Sequence, residues 1–112
     1  MTETTASETP ETETQKAEYS FSHDPGHNRY VANYDGDIVG FAAYRPAADG
    51  VHFNHTVVDQ AHQGEGVASR LIRYALDDFE RTSNQAVIPD CSYVRAWLQN
   101  HPDYQHLTEE RA

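Results

Sequence analysis

The sequence predicts an α/β fold of the α+β kind: a mixed, mostly antiparallel sheet with one long and one short helix. Three observations point there. Short apolar or alternating runs, separated by turn residues, fill residues 19–58 with no helical period among them. Residues 67–81 then place Val67, Ala68, Leu71, Ile72, Ala75, Leu76 and Phe79 at intervals of three and four, the period of a helix with one apolar face. After that helix, Ala86-Val87-Ile88 reads as a short apolar strand. Strand, loop, helix and strand make a crossover, which sets the last strand parallel to the one feeding the helix.

Taken in order, residues 1–18 are rich in Thr and Glu, contain no aromatic residue and offer no apolar period, so they read as a disordered acidic tail ahead of one domain at 19–112. Tyr19 and Phe21 alternate with polar neighbours before a turn at His23-Asp24-Pro25-Gly26. Residues 29–34 and 37–44 form a hairpin about Asp35-Gly36, a pair suited to a reversal with positive φ. A second reversal is expected at residues 46–50, then a strand at 51–58. After residues 86–88, Pro89-Asp90 opens a short helix carrying Val94, Trp97 and Leu98, with Asp90 as the expected N-cap. His101-Pro102 ends it, and Tyr104 and Leu107 pack a last turn onto the domain. Arg70, Arg73, Asp77, Asp78, Glu80 and Arg81 are expected on the solvated face of the long helix.

Charge narrows the function. Eighteen acidic residues against eight basic ones, with Lys16 the only lysine, give a formal charge of -10 and argue against nucleic acid as a partner. Acidity with almost no lysine also resembles the composition of proteins from salt-loving organisms. A single cysteine, Cys91, cannot form an internal disulfide, which suits a reducing cytoplasm. No leader and no apolar run near the ~20 residues of a membrane helix stand in the sequence, so no membrane partner is expected.

The chemistry concentrates between residues 58 and 69. Gly64 and Gly66 let the backbone approach a ligand, and the first turn of the following helix leaves N–H groups without internal partners. An anion fits there, favoured by the helix dipole by about 0.3–1 kcal/mol per charge. Two glycines before a helix can also be simple loop closure. The nucleotide triphosphatase loop is excluded because it needs a lysine, and the dinucleotide fingerprint because Ala61 stands where its first glycine belongs.

Gln63, Gly66 and Ala68 match Q/R-x-x-G-x-G/A, and His55-Thr56 with Val58, Pro89-x-Cys91, the run from Val94 to Leu98, and His101-Pro102-x-Tyr104 surround it. With these motifs the sequence resembles the GNAT N-acetyltransferases, and in particular their small YjdJ-type branch. The resemblance covers residues 19–107. It implies a reduced GNAT fold and acetyl-CoA as cosubstrate, with transfer of the acetyl group to a small-molecule or peptide amine. It places the acyl-pantetheine arm along Val57 and Val58, and the pyrophosphate on the backbone N–H groups of Gln63, Gly64, Glu65, Gly66, Val67, Ala68 and Ser69. Two departures matter. Val57 stands where the branch usually has Glu, removing a potential general base, and Gln63 and Glu65 stand where basic residues are common.

Acetyl transfer needs an oxyanion donor, a base for the amine and a proton for the departing thiolate. A backbone N–H near Val58 is the expected oxyanion donor. His55 is the candidate base, its alternative being a histidine bonded to a neighbour. Cys91, at a helix start, could protonate the thiolate or accept the acetyl group itself, its alternative being a small packed residue. Tyr93 and Tyr104 are weaker candidate proton donors, the alternative for each being a packing residue with a solvated tip. No metal is expected, because His52 and His55, three apart on a strand, should face opposite sides. A non-catalytic acyl-CoA-binding module and a thiol-dependent acyltransferase acting through Cys91 remain rival functions.

Overall fold

The computed structural model describes residues 18–111. The expected tail therefore lies outside the described residues, Glu18 excepted. Five strands form one sheet in chain order: β1 (Tyr19–Asp24), β2 (Arg29–Tyr34), β3 (Asp37–Ala47), β4 (Gly50–Val58) and β5 (Val87–Ile88). The first three pairings are antiparallel, and β4 with β5 is parallel. α1 (Val67–Thr82) connects those last two strands, as the crossover requires, and α2 (Ser92–Gln99) follows β5. Short 3-10 segments stand at Pro25–His27, Gln60–His62 and Pro102–Thr108. No helix among the described residues is long and apolar enough to cross a membrane.

The β2–β3 reversal has Asp35 at φ 53° and Gly36 at φ 85°, the left-handed pair whose twist matches that of the flanking strands. The second reversal is tighter than residues 46–50. Pro46 and Ala47 still pair with Val51 and Gly50, leaving only Ala48 and Asp49 outside the ladder.

α1 lays its fully buried Leu71, Ile72, Ala75 and Leu76 into one cluster with Tyr30, Ala32, Ala42 and Phe53 of the sheet. Burying each of Leu71, Ile72 and Leu76 stabilises the fold by about 1.5–3 kcal/mol. α2 adds Val94, Trp97 and Leu98, and the last 3-10 segment adds Tyr104 and Leu107, so both helices cover the same face. Val31 is buried yet stands outside this cluster, opposite Phe41 in register, and marks the other face.

The polar side of α1 is less solvated than its charges suggest. The Tyr30 hydroxyl donates to Asp78 Oδ2 at 2.9 Å, and Arg81 pairs with the same carboxylate, whose side chain is only 10% exposed. Tyr104 donates to Asp77 Oδ1 at 2.7 Å and accepts from Arg73 Nη1 at 3.2 Å. These residues fasten the helix to the sheet and to the C-terminal turn.

Two features of β4 position the site. The register with β3 shifts between Ala43 and Tyr44, which face His55 and Phe53, leaving Asn54 as an extra residue. Such a bulge reverses the strand's facing. His52 and His55 consequently share the face away from the helices, correcting the expectation that they diverge, while Phe53 and Thr56 both face inward. The second feature is a splay: β5 pairs only through Val51 with Val87 and His52 with Ile88, and the Cys91 N–H then bonds the Phe53 carbonyl at 2.9 Å. Beyond Phe53, one edge of β4 has no strand beside it among the described residues.

Candidate active site

The bare edge of β4 has a definite polarity. The Asp59 N–H bonds the Val39 carbonyl at 2.8 Å, so by the two-residue period of an antiparallel ladder Val57 turns its backbone groups toward β3 and Val58 turns its own outward. The Gln63 side-chain amide agrees, donating to the Val58 carbonyl at 3.1 Å. Thr56, two residues earlier, turns the same way and reaches Cys91: its backbone N–H and its hydroxyl both act on the thiol, with Oγ1 3.5 Å from Sγ.

The chain then turns through Gln60–His62 and crosses the glycine loop into α1. Gly64 (φ 86°) and Gly66 (φ 78°) are both left-handed, and a Cβ at either would meet no atom within 4 Å. Gly66 is the N-cap and supplies no side-chain cap, and Arg70 N–H makes the first helical bond to its carbonyl at 3.1 Å. The N–H groups of the first turn are therefore left for a ligand. They open on a cleft of about 220 Å³ lined by Val58, His62, Gln63, Gly64, Gly66, Val67, Ala68, Ser69 and Tyr93.

The far wall of the cleft comes from α2. Trp97 Nε1–H donates to Ser69 Oγ at 2.9 Å, tying α2 to the first turn of α1. His101 stacks on the indole at 3.7 Å, and the Arg73 guanidinium lies 5.4 Å from its centroid. Tyr93, 39% exposed, has its hydroxyl pKa raised by burial against an opposing hydrogen bond from Ser69. For Cys91, burial pushes the thiol up, but its hydrogen bonds with the Thr56 side chain and with the backbone of Val94, Tyr93 and Thr56 prevail and hold it below the ordinary thiol range. Cys91, not Asp90, occupies the N-cap position of α2, without a side-chain cap bond. Asp90 is drawn away to His52 Nδ1 at 2.8 Å, whose Nε2 meets Asp49 at 2.9 Å.

Val58, Gln63, Gly64, Gly66, Val67, Ala68, Ser69 and Tyr93 are thus brought together. Val57, Glu65, Cys91 and His55 do not line the cleft. Val57 and the exposed His55 stand on the outer face of the sheet, with the Phe41 ring 6.2 Å from the imidazole. Cys91 sits at the fork where β4 leaves β5, and Glu65 is exposed at the loop's rim. His62 lines the cleft although nothing in the motif singles it out, because the 3-10 turn that folds it back has no apolar period. Among the described residues no group of three or more His, Cys, Asp or Glu could hold a metal ion.

A splayed strand beside an uncapped, glycine-led helix is the architecture of an acyltransferase, and the comparisons agree. Residues 29–107 match the family described as GCN5-related N-acetyl-transferase, and the chain belongs to that family. Among solved structures it is similar to a ribosomal-protein-alanine N-acetyltransferase from Brucella melitensis biovar Abortus 2308. The TM-score is 0.51 at 22% identity, and the match covers 67% of this chain and 57% of that one. The likeness shows a shared fold, and this chain spans little more than half of its neighbour's length. No curated protein matches.

Proposed function

We propose that the cleft binds acetyl-CoA and that the protein transfers the acetyl group to an amine. The observation that carries this reading is the meeting, in one cleft, of the bare Val58 edge with the uncapped first turn of α1. The residues fit the cosubstrate. Free N–H groups and glycine backbone suit a diphosphate. The Val58 carbonyl, now held by Gln63, is an acceptor that a pantetheine amide can take once Gln63 swings aside.

Within this reading, the Val58 N–H stabilises negative charge developing on the thioester carbonyl oxygen. His55 and Val57 share the outer face, so the amine approaches from there, and His55 takes the proton it loses on attacking the carbonyl carbon. The departing thiolate receives a proton from Cys91 at the fork or Tyr93 in the cleft wall. A second reading is favoured by one observation, the lowered thiol pKa of Cys91: the thiolate attacks the thioester, expels the CoA thiolate, and passes the acetyl group to the amine.

Calorimetry with acetyl-CoA tests the cleft. Gly66→Ala places a methyl where no protein atom stands within 4 Å, at a cost in left-handed strain of about 1–2 kcal/mol. Affinity is expected to fall about tenfold or more while far-UV dichroism is unchanged, and equal affinity would remove the cleft from the reading. An amine screen read by thiol release separates an enzyme from a non-catalytic acyl-CoA-binding module, which would bind without turnover.

A further inference from the structure

Of the nine residues lining the cleft, His62 alone can carry a positive charge. This contrasts with the ligand proposed for it, a diphosphate ester, and with a formal charge of -10 on the chain. Position 63 holds a neutral glutamine and position 65 a carboxylate, so the loop's other side chains offer the phosphates no countercharge.

His62 is held in place. Its backbone N–H bonds the Asp59 carbonyl at 2.9 Å, its Nδ1 lies 2.7 Å from the Tyr19 hydroxyl, and its ring stands 5.0 Å from that of Tyr34. Tyr19 is fixed in turn by Tyr34 at 4.9 Å and by the Arg70 guanidinium at 5.7 Å. A neutral tyrosine hydroxyl both donates and accepts, so Tyr19 can serve a neutral or a protonated imidazole without moving. With Nδ1 engaged by Tyr19, Nε2 is the atom left for the cleft. The charged groups around the ring are Asp59 and Glu65 on its own loop, Glu18 ahead of β1 and Arg70 on α1. An entering diphosphate adds two further negative charges to this set.

We infer that His62 takes up a proton as the diphosphate enters and, aimed by Tyr19, supplies the countercharge that the glycine loop lacks, which makes coenzyme affinity pH-dependent. This rests on the acetyl-CoA reading above. Histidine changes charge between about pH 5 and 8, so the contribution is full at the acid end of that range and is lost as pH rises through the bound-state value. A one-unit rise on binding corresponds to about tenfold in affinity.

The test is calorimetry with CoA and with CoA lacking its 3′-phosphate, which itself titrates in this range. Both are run in two buffers of different ionisation enthalpy, from pH 6 to 8.5. The wild type is expected to take up protons and to bind both ligands about tenfold more tightly at pH 6 than at pH 8.5. His62→Gln should lose the uptake with the shortened ligand and should bind as the wild type does at pH 8.5. The His62 Cε1–H signal in wild type, titrated with and without ligand, reads the same event without a variant and should move to higher pH on binding. Binding with the same pH profile in both proteins and an unmoved signal would overturn the assignment of His62 alone. No binding to either folded protein at any pH would overturn the cleft reading, and this inference with it.

Discussion

Cys91 is governed by its immediate neighbours. Burial opposes ionisation, while Thr56 and the N–H groups of Thr56, Tyr93 and Val94 favour it, and together they hold the thiol pKa below its ordinary range. Those donors come from two elements, the bare edge of β4 and the first turn of α2, so the thiol is polarised only where they meet. Direct attack by the amine is the simpler route, and it predicts no acetyl adduct on Cys91 when the protein meets acetyl-CoA without acceptor. Cys91→Ala should then lower turnover by about 10²-fold with coenzyme affinity nearly unchanged. Peptide mass spectrometry decides between the routes: one acetyl mass on the Cys91 peptide, with Cys91→Ser inactive, would establish the covalent path. Full activity in Cys91→Ala would leave Cys91 as a packing residue.

Among the elements, β4 does most to organise the site, through its bulge and its early parting from β5. His52, between the buried Val51 and Phe53, stands on the outer face, where Asp49 from the β3–β4 turn and Asp90 from the β5–α2 loop grip both ring nitrogens. Asp90 precedes Cys91, so this clamp also holds the loop that presents the thiol. Hydrogen bonds donated to Asp49 and then to Asp90 raise the His52 pKa against a smaller effect of burial. A raised folded-state pKa means that the stabilisation is fully present below the unfolded value of ~6.5 and is lost as pH rises through the folded-state value. The melting temperature of the wild type should therefore fall more between pH 6 and 9 than that of His52→Gln. Parallel slopes in the two proteins would show the clamp to be without weight.

For the molecule as a whole, the acidic surface and the proposed anionic cosubstrate oppose one another, and the cleft offers backbone N–H groups and one histidine. Glu65 lies exposed at the rim, close enough to act electrostatically on Tyr19. Glu65→Lys should tighten coenzyme binding by about three- to tenfold at low ionic strength. Near 1 M salt, where the Debye length is ~3 Å, the gain should largely vanish. A gain independent of salt, or none at low salt, would mean that Glu65 does not sense the phosphates. The same scale bears on the acceptor: among the described residues no helix covers the outer face, and Ile38 and Val57 are exposed there at 48% and 37%. On the proposed reading, the amine would therefore meet an open surface around His55 and Phe41 and not an enclosed pocket.

The elements and the glycine loop ahead of α1 were legible in the sequence because their signals are local. The three-and-four spacing from Val67 to Phe79 can be buried only as a helix, Asp35-Gly36 accepts a left-handed turn, and Gly64 and Gly66 ahead of that helix leave backbone donors bare whatever surrounds them. The candidate catalytic side chains were not legible in the same way, because their placement depends on partners distant in sequence. One extra residue at Asn54, visible only in the pairing of β4 with β3, carries His55 to the outer face beside His52. Asp90 has the right side chain and place for an N-cap, yet His52, 38 residues earlier, holds it instead. His62 becomes part of the cleft because Tyr19, 43 residues away, fixes its ring there. The sequence alone determined which segments fold and where backbone donors stand uncapped; tertiary structure decided which side chains surround them, because hydrogen bonds across the sheet outweigh the preferences of any one segment.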